Sequence, residues 1–236
     1  MKLAVFDIDG TLTLGDGLGT KCFFGTFDAI FGSHGIADRR LDRYAESTDC
    51  GIAREAVGRA LGREPHEREL EQFKSAYLEL LASEIALRDG AYRPVAGAER
   101  ILLRIASHRG WHVEIATGNW RRAAALKLGC AGIACPPVTA CSEDGASRAG
   151  ILRAAVAAAT TVAGQRFEHV VYVGDQPWDL RAAREIGVAF LGIGSGDRRR
   201  RLEIAGAVMA ENYADEDRFC AILDGVAADP STSAVS

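Results

Sequence analysis

The stretch Lys2-Leu3-Ala4-Val5-Phe6-Asp7-Ile8-Asp9-Gly10-Thr11-Leu12-Thr13 decides the fold. Leu3-Ala4-Val5-Phe6 is an unbroken apolar run, as a strand covered on both faces requires, and it ends at two carboxylates one residue apart. Outward from it the same pattern recurs. Val113–Ala116 runs into Thr117-Gly118-Asn119, and Val170–Val173 runs into Gly174-Asp175. Val188–Leu191 adds a fourth apolar run and Ala207–Met209 a shorter fifth. Longer amphipathic segments separate these runs. The alternation predicts an α/β protein, a doubly wound and mainly parallel sheet with helices on both faces. In such sheets ligands bind beyond the carboxyl ends of the strands, so the three polar clusters are expected to meet in one crevice.

Residues 15–89 break the alternation. Cys22–Phe31, Ile52–Leu61 and Glu67–Leu87 carry apolar side chains at helical spacing, with no strand signal between them. They predict an all-helical insertion into a core made of residues 1–14 and 90–224, rejoining it at Arg88-Asp89-Gly90 or at Pro94. The Phe-rich first helix reads as core of that insertion. Gly15 and Gly17 suit a hinge into it, with Asp16 as a linker residue. Residues 225–236, rich in Ala and Ser, are expected to form a disordered tail.

Composition narrows the function. The 236 residues are 48% hydrophobic and 25% charged, and 28 Lys+Arg against 32 Asp+Glu leave a net charge of -4. That balance offers no general attraction to nucleic acid or to an anionic membrane. No apolar run approaches the ~18 residues of a membrane helix, and the first one meets Asp7 too early for a signal peptide. Cys22, Cys50, Cys130, Cys135, Cys141 and Cys220 form no CxxC pair and have no His at zinc spacing, so they read as reduced thiols in a cytoplasmic protein. Arg198–Arg201 reads as solvated surface.

The chemistry lies in the strand ends. Asp179 falls about one helical turn beyond Asp175. If the sheet gathers Asp7, Asp9, Asp175 and Asp179, four carboxylates share a small volume and demand a cation; all-oxygen donors select a hard one, Mg2+ above all. The alternative is a set of unrelated strand-end caps. Thr117-Gly118-Asn119 leads from a strand into a helix, where free N–H groups and the helix dipole suit a phosphate oxygen.

Phe-Asp-Ile-Asp-Gly-Thr-Leu, Thr-Gly-Asn and Gly-Asp-x-x-x-Asp, in that order, resemble the haloacid dehalogenase superfamily from Met1 to about Asp224. The helical insertion resembles that superfamily's C1-type cap, and the phosphoglycolate-phosphatase-like hydrolases are the most similar branch. The resemblance implies Mg2+-dependent hydrolysis of a small phosphorylated metabolite through an aspartyl-phosphate. Asp7 would be the nucleophile and Asp9 the acid and base, its backbone carbonyl facing the metal. Thr117, Gly118 and Asn119 would hold phosphoryl oxygens, and Asp175 and Asp179 would complete the metal site. The superfamily's usual motif Lys is absent from residues 140–150; Arg148 stands there as the replacement cation. Lys127 is the rival, read as an exposed helix residue. Thr48 and Asp49, and with them Arg54, could reach the substrate, although helix capping accounts equally for the first two. Trp120 and Trp178 could line the mouth. Two other outcomes stay open, a sugar-phosphate mutase of the same superfamily and a catalytically weak phosphometabolite-binding regulator.

Overall fold

The computed structural model describes residues 1–32, 39–108, 110–134 and 137–228. Six parallel strands form one sheet: β1 (Lys2–Phe6), β4 (Trp111–Ala116), β5 (Val138–Ala140), β6 (His169–Gly174), β7 (Ala189–Ile193) and β8 (Val208–Ala210). Their order is β5-β4-β1-β6-β7-β8, so the strand bearing Asp7 lies centrally, between β4 and β6. Phe6 registers with Ile115 on one side and Val173 on the other, which brings all three expected polar clusters to the same edge.

Alternation along β1 explains its unbroken apolar run. Ala4 and Phe6 join a core with α4 (Ala98–Ser107), α5 (Arg121–Cys130) and α9 (Glu216–Ala227). Leu3 and Val5 point the other way, into a core with α6 (Arg148–Ala163), α7 (Pro177–Ile186) and α8 (Gly196–Ile204). A strand buried on both faces needs apolar residues at both parities.

Between β1 and β4, ahead of α4, lie α1 (Leu18–Phe31), α2 (Asp49–Leu61) and α3 (Glu67–Leu87), with a 3-10 turn at Leu41–Arg43. The two chain segments joining them to the sheet pair with each other as β2 (Thr13–Leu14) and β3 (Arg93–Pro94), antiparallel, with Thr13 opposite Pro94 and Leu14 opposite Arg93. Asp16, expected as a linker residue, adopts a left-handed φ of 45° and pairs with Arg93 across these segments, at 2.9 Å.

Three expectations about the elements change. α1 starts four residues before Cys22, because Gly17 supplies the left-handed turn that launches it. β5 was not expected: with three residues it is too short to show a period. The presumed tail begins too early, since α9 continues to Ala227 and buries Val226 and Ala227, one turn beyond buried Leu223; residues 229–236 lie outside the described residues. Among the described residues no helix is long and apolar enough to cross a membrane, and Cys22, Cys50, Cys130, Cys141 and Cys220 are free thiols. Cys135 lies outside the described residues.

Candidate active site

Asp7 is the first residue beyond β1, and its carboxylate is buried between the neighbouring strand ends. Asp175 follows β6, and Asp179 sits in the first turn of α7. Side-chain oxygens of Asp7, Asp175 and Asp179 all lie within 4.8 Å of one another. Asp179 is held rigidly: its Oδ2 accepts the backbone N–H groups of Asp175 at 3.2 Å and Gln176 at 3.0 Å, and its Oδ1 accepts the Tyr172 hydroxyl at 3.3 Å. Gly10, at φ 79°, passes directly over Asp175, where a Cβ would collide with the carboxylate. No side chain fits there.

Three buried carboxylates at this spacing repel one another. Burial pushes the Asp7 carboxyl up to about 7, reinforced by Asp179 and Asp9 and only partly offset by Arg148. Burial and Asp179 raise the Asp175 carboxyl well above the usual carboxylate range. Asp175 Oδ1 is buried with no hydrogen-bond partner. An all-oxygen cluster with an orphaned buried oxygen fits a hard divalent cation, so these three residues could hold a metal.

The expected fourth carboxylate is not in this group. Asp9 Oδ2 instead accepts from Lys127 Nζ at 2.6 Å. Lys127 in turn donates to Asn119 Oδ1 at 2.6 Å and lies 5.7 Å from the centroid of the Tyr92 ring. The expectation of an exposed Lys127 is therefore overturned: only 3% of the residue is accessible. Its position on the helix explains this, because Ala123, Ala124, Lys127 and Leu128 form the buried stripe of α5. That spacing was readable; a lysine within it was simply assigned to the wrong face.

Arg148 opens α6, whose N-cap Ser147 accepts the N–H of Gly150 at 3.0 Å. Its Nη1 lies 3.2 Å from Asp7 Oδ1, 3.0 Å from Asp179 Oδ1 and 3.3 Å from the Tyr172 hydroxyl. Its Nη2 donates to the Ser47 carbonyl at 3.0 Å. Gly118 leaves room for it, since a Cβ there would stand 2.5 Å from Arg148 Nη2. A second arginine was missed. Arg198, the first of the four consecutive arginines, reaches back from α8 to place Nη1 3.0 Å from Asp175 Oδ2. The solvated reading fails for this one member because the helix start aims it at the strand ends.

The segment from Ser47 to Cys50 docks the insertion on the sheet. Asp49 N–H donates to the Gly118 carbonyl at 2.7 Å, Trp120 N–H donates to Asp49 Oδ2 at 2.8 Å, and Cys50 N–H donates to Ser142 Oγ at 2.8 Å. Thr48 is the N-cap of α2, its hydroxyl accepting Gly51 N–H at 3.1 Å, so it is spent on the helix and does not line the cavity below. Thr117, expected to hold phosphoryl oxygens, is buried and does not line the cavity, and its hydroxyl accepts Asn119 N–H at 3.3 Å. Trp120 does not reach the mouth either. It stacks on Phe23 with ring centroids 6.0 Å apart and packs beside Phe73 and Tyr77, gluing α5 to the insertion. Arg54 points outward to Glu64 and Glu67.

Between sheet and insertion lies a cavity of about 300 Å3. Its floor carries Asp7, Asp9, Asp175, Arg148, Arg198 and Lys127. Leu18, Phe23, Ile52, Tyr77 and Tyr92, together with Gly118, Asn119, Asp49 and Trp178, complete the walls. Charged floor and apolar walls suit a small molecule with one strongly anionic end.

The family model for haloacid dehalogenase-like hydrolases matches residues 1–187. No curated protein matches the sequence. A hydrolase from Pseudomonas syringae superposes with a TM-score of 0.71 at 19% identity, over 97% of this chain and 100% of that one. A beta-phosphoglucomutase candidate from Bacteroides vulgatus gives 0.68 at 17% identity, over 97% of this chain and 91% of that one. A predicted phosphoglycolate phosphatase from Haemophilus somnus gives 0.62 at 15% identity, over 93% of this chain and 98% of that one. At such identities the likeness carries the fold, not the substrate. With a family model covering most of the chain and a buried carboxylate cluster at the ends of its central strands, this protein belongs to the haloacid dehalogenase-like hydrolases.

Proposed function

We propose that the protein is a phosphatase that hydrolyses a small phosphate monoester through an aspartyl-phosphate on Asp7, with Mg2+ held by Asp7, Asp175 and Asp179. The observation that carries this reading is the pairing of Asp7 with a fixed arginine beside a cluster of carboxylates: Arg148 Nη1 lies 3.2 Å from its carboxylate. A phosphate dianion cannot approach a carboxylate unless fixed positive charge offsets the repulsion. The bound ion would supply the remainder of that charge neutralisation.

The chain's own groups then divide the work. Asp7 attacks phosphorus in line, and the bond to the leaving oxygen breaks. Asp9, on the cavity floor beside Asp7, gives that oxygen a proton and later takes one from the attacking water. Arg148 stays with Asp7 and the phosphoryl group throughout, tied from behind by Tyr172 and by the Ser47 carbonyl. Gly118 and Asn119 line the cavity where the remaining phosphoryl oxygens would lie, with Thr117 buried behind them. The insertion, docked through Ser47–Cys50, closes the chamber against water and sets which ester fits.

Release of inorganic phosphate from p-nitrophenyl phosphate and from a panel of phosphorylated metabolites tests the reading. Turnover that needs Mg2+ and disappears in Asp7→Asn supports it. Isomerised product with no net phosphate release would make the protein a mutase, the activity named for the Bacteroides vulgatus neighbour. Binding without turnover would make it a regulator.

A further inference from the structure

We propose that Lys127 is a positioning residue for Asp9, holding that carboxyl on the leaving-group side of the cavity and away from the Asp7–Asp175–Asp179 cluster. The inference rests on the phosphatase reading above and extends it to a residue outside the motifs. Lys127 Nζ lies 2.6 Å from Asp9 Oδ2 and 2.6 Å from Asn119 Oδ1, with 4% of its side chain accessible. Burying an ammonium group costs several kcal/mol unless a charged partner offsets it. Asp9 carries that partner charge, and Asn119 and the Tyr92 ring take up the ammonium's other faces. Burial pulls the ammonium's pKa down, but Asp9, Tyr77, Tyr92 and Asp49 outweigh it, so Lys127 keeps its proton across the working range.

Direction is the second part of the argument. Asp9 stands two residues after Asp7, and its carboxylate remains 42% accessible to the cavity. Without a fixed contact it would swing toward whatever cation sits at the cluster. Lys127 lines the cavity together with Tyr77 and Tyr92, the apolar wall against which a leaving group would rest. Its hydrogen bond pins Oδ2 and leaves Oδ1 for proton transfer. In the first step the monoester, bound as its monoanion, gives its proton to Asp9; Asp7 oxygen bonds to phosphorus, the phosphorus–oxygen bond to the leaving group breaks, and that proton passes to the departing oxygen. In the second, water bonds to phosphorus, Asp9 accepts its proton, and the bond to Asp7 breaks. Lys127 donates a hydrogen bond throughout and transfers no proton.

Leaving-group dependence tests this. An alkoxide must be protonated as it departs, whereas p-nitrophenolate departs unaided, and kcat/KM reports only the steps through phosphoryl transfer. Lys127→Met is expected to lower kcat/KM for glycerol 2-phosphate about 100-fold and that for p-nitrophenyl phosphate by less than about 5-fold. Lys127→Gln, which keeps a donor, should recover part of the alkyl loss. Equal losses on both substrates, or no loss, in variants with wild-type circular dichroism would overturn the assignment. Should Lys127→Met not fold, Asn119→Ala takes its place: it removes one anchor of Lys127, and a loss larger for the alkyl ester supports the proposal, whereas parallel losses overturn it. Wild-type protein that releases phosphate from neither ester would refute the phosphatase reading itself, a result distinct from any of these.

Discussion

The two ends of the cavity floor are built differently. At one end Asp7, Asp175 and Asp179 sit at strand ends and in the first turn of a helix, with Arg148 wedged among them. At the other, Asp9, Lys127 and Asn119 meet beneath the helical insertion. The first end is too acidic for its one buried arginine and is built to take additional positive charge. The second is closer to balance, with the Asp9 and Asp49 carboxyls set against the Lys127 ammonium. The difference teaches which groups are free to respond to a ligand: the carboxylate cluster stores electrostatic strain, and the Asp9–Lys127 pair stores orientation.

The largest predicted effect breaks the strained end. Asp7→Asn should reduce phosphate release by about 1,000-fold or more, measured with p-nitrophenyl phosphate, because an amide is not a competent nucleophile. Arg148→Ala should cut turnover by about 100-fold, and in chelator it should lower stability by about 3 kcal/mol in urea denaturation, since Asp7 and Asp179 lose their shared buried cation. Adding Mg2+ at 100 times its dissociation constant should raise stability by about 2.7 kcal/mol, visible as a higher Tm, and Asp175→Asn should lose most of that gain. Near-normal turnover in Arg148→Ala would erase the contrast between the ends.

Smaller effects sharpen it. Arg198 is one-third accessible and holds Asp175 through a single contact at 3.0 Å, so it behaves as an exchangeable cation beside the fixed Arg148. Arg198→Ala should tighten Mg2+ binding by about 3-fold in titration calorimetry, the scale of one partly exposed ion pair. At the balanced end, burial raises the Asp49 carboxyl from its usual 3.8 to about 6, against the pull of Lys127. Between those values the folded chain retains a proton that the unfolded chain has released, so stability declines as pH rises through the interval. Asp49→Asn should flatten that decline by about 3 kcal/mol, read from denaturation midpoints between pH 4 and pH 7. An unchanged pH profile would place Asp49 in water rather than buried where the insertion meets the sheet.

Legibility in the sequence follows the same division. Asp7, Asp175 and Asp179 were readable because parallel strands carry a strong apolar signal and their carboxyl ends must share an edge. Arg148 was readable through its place ahead of a helix. Lys127 was readable only as a point on a helical stripe, and hydrophobic patterning assigns a lysine to solvent by default. Arg198 was hidden inside a run of four arginines whose members look alike until α8 fixes which of them turns inward. Trp120 and Thr48 read either as pocket or as packing and capping residues, and docking of the insertion decided for packing and capping.

Local patterning alone therefore determined the α/β core, the helical insertion and the carboxylates at the strand ends, because period and residue type dictate which face each strand and helix buries. Tertiary structure decided what those carboxylates face: which cation pairs with Asp7, which with Asp9 and which with Asp175. Partners 23, 118 and 141 positions apart in the chain share no local period. Their pairing is set by how helices and loops pack over the sheet, where burial makes an unpaired charge too costly to leave.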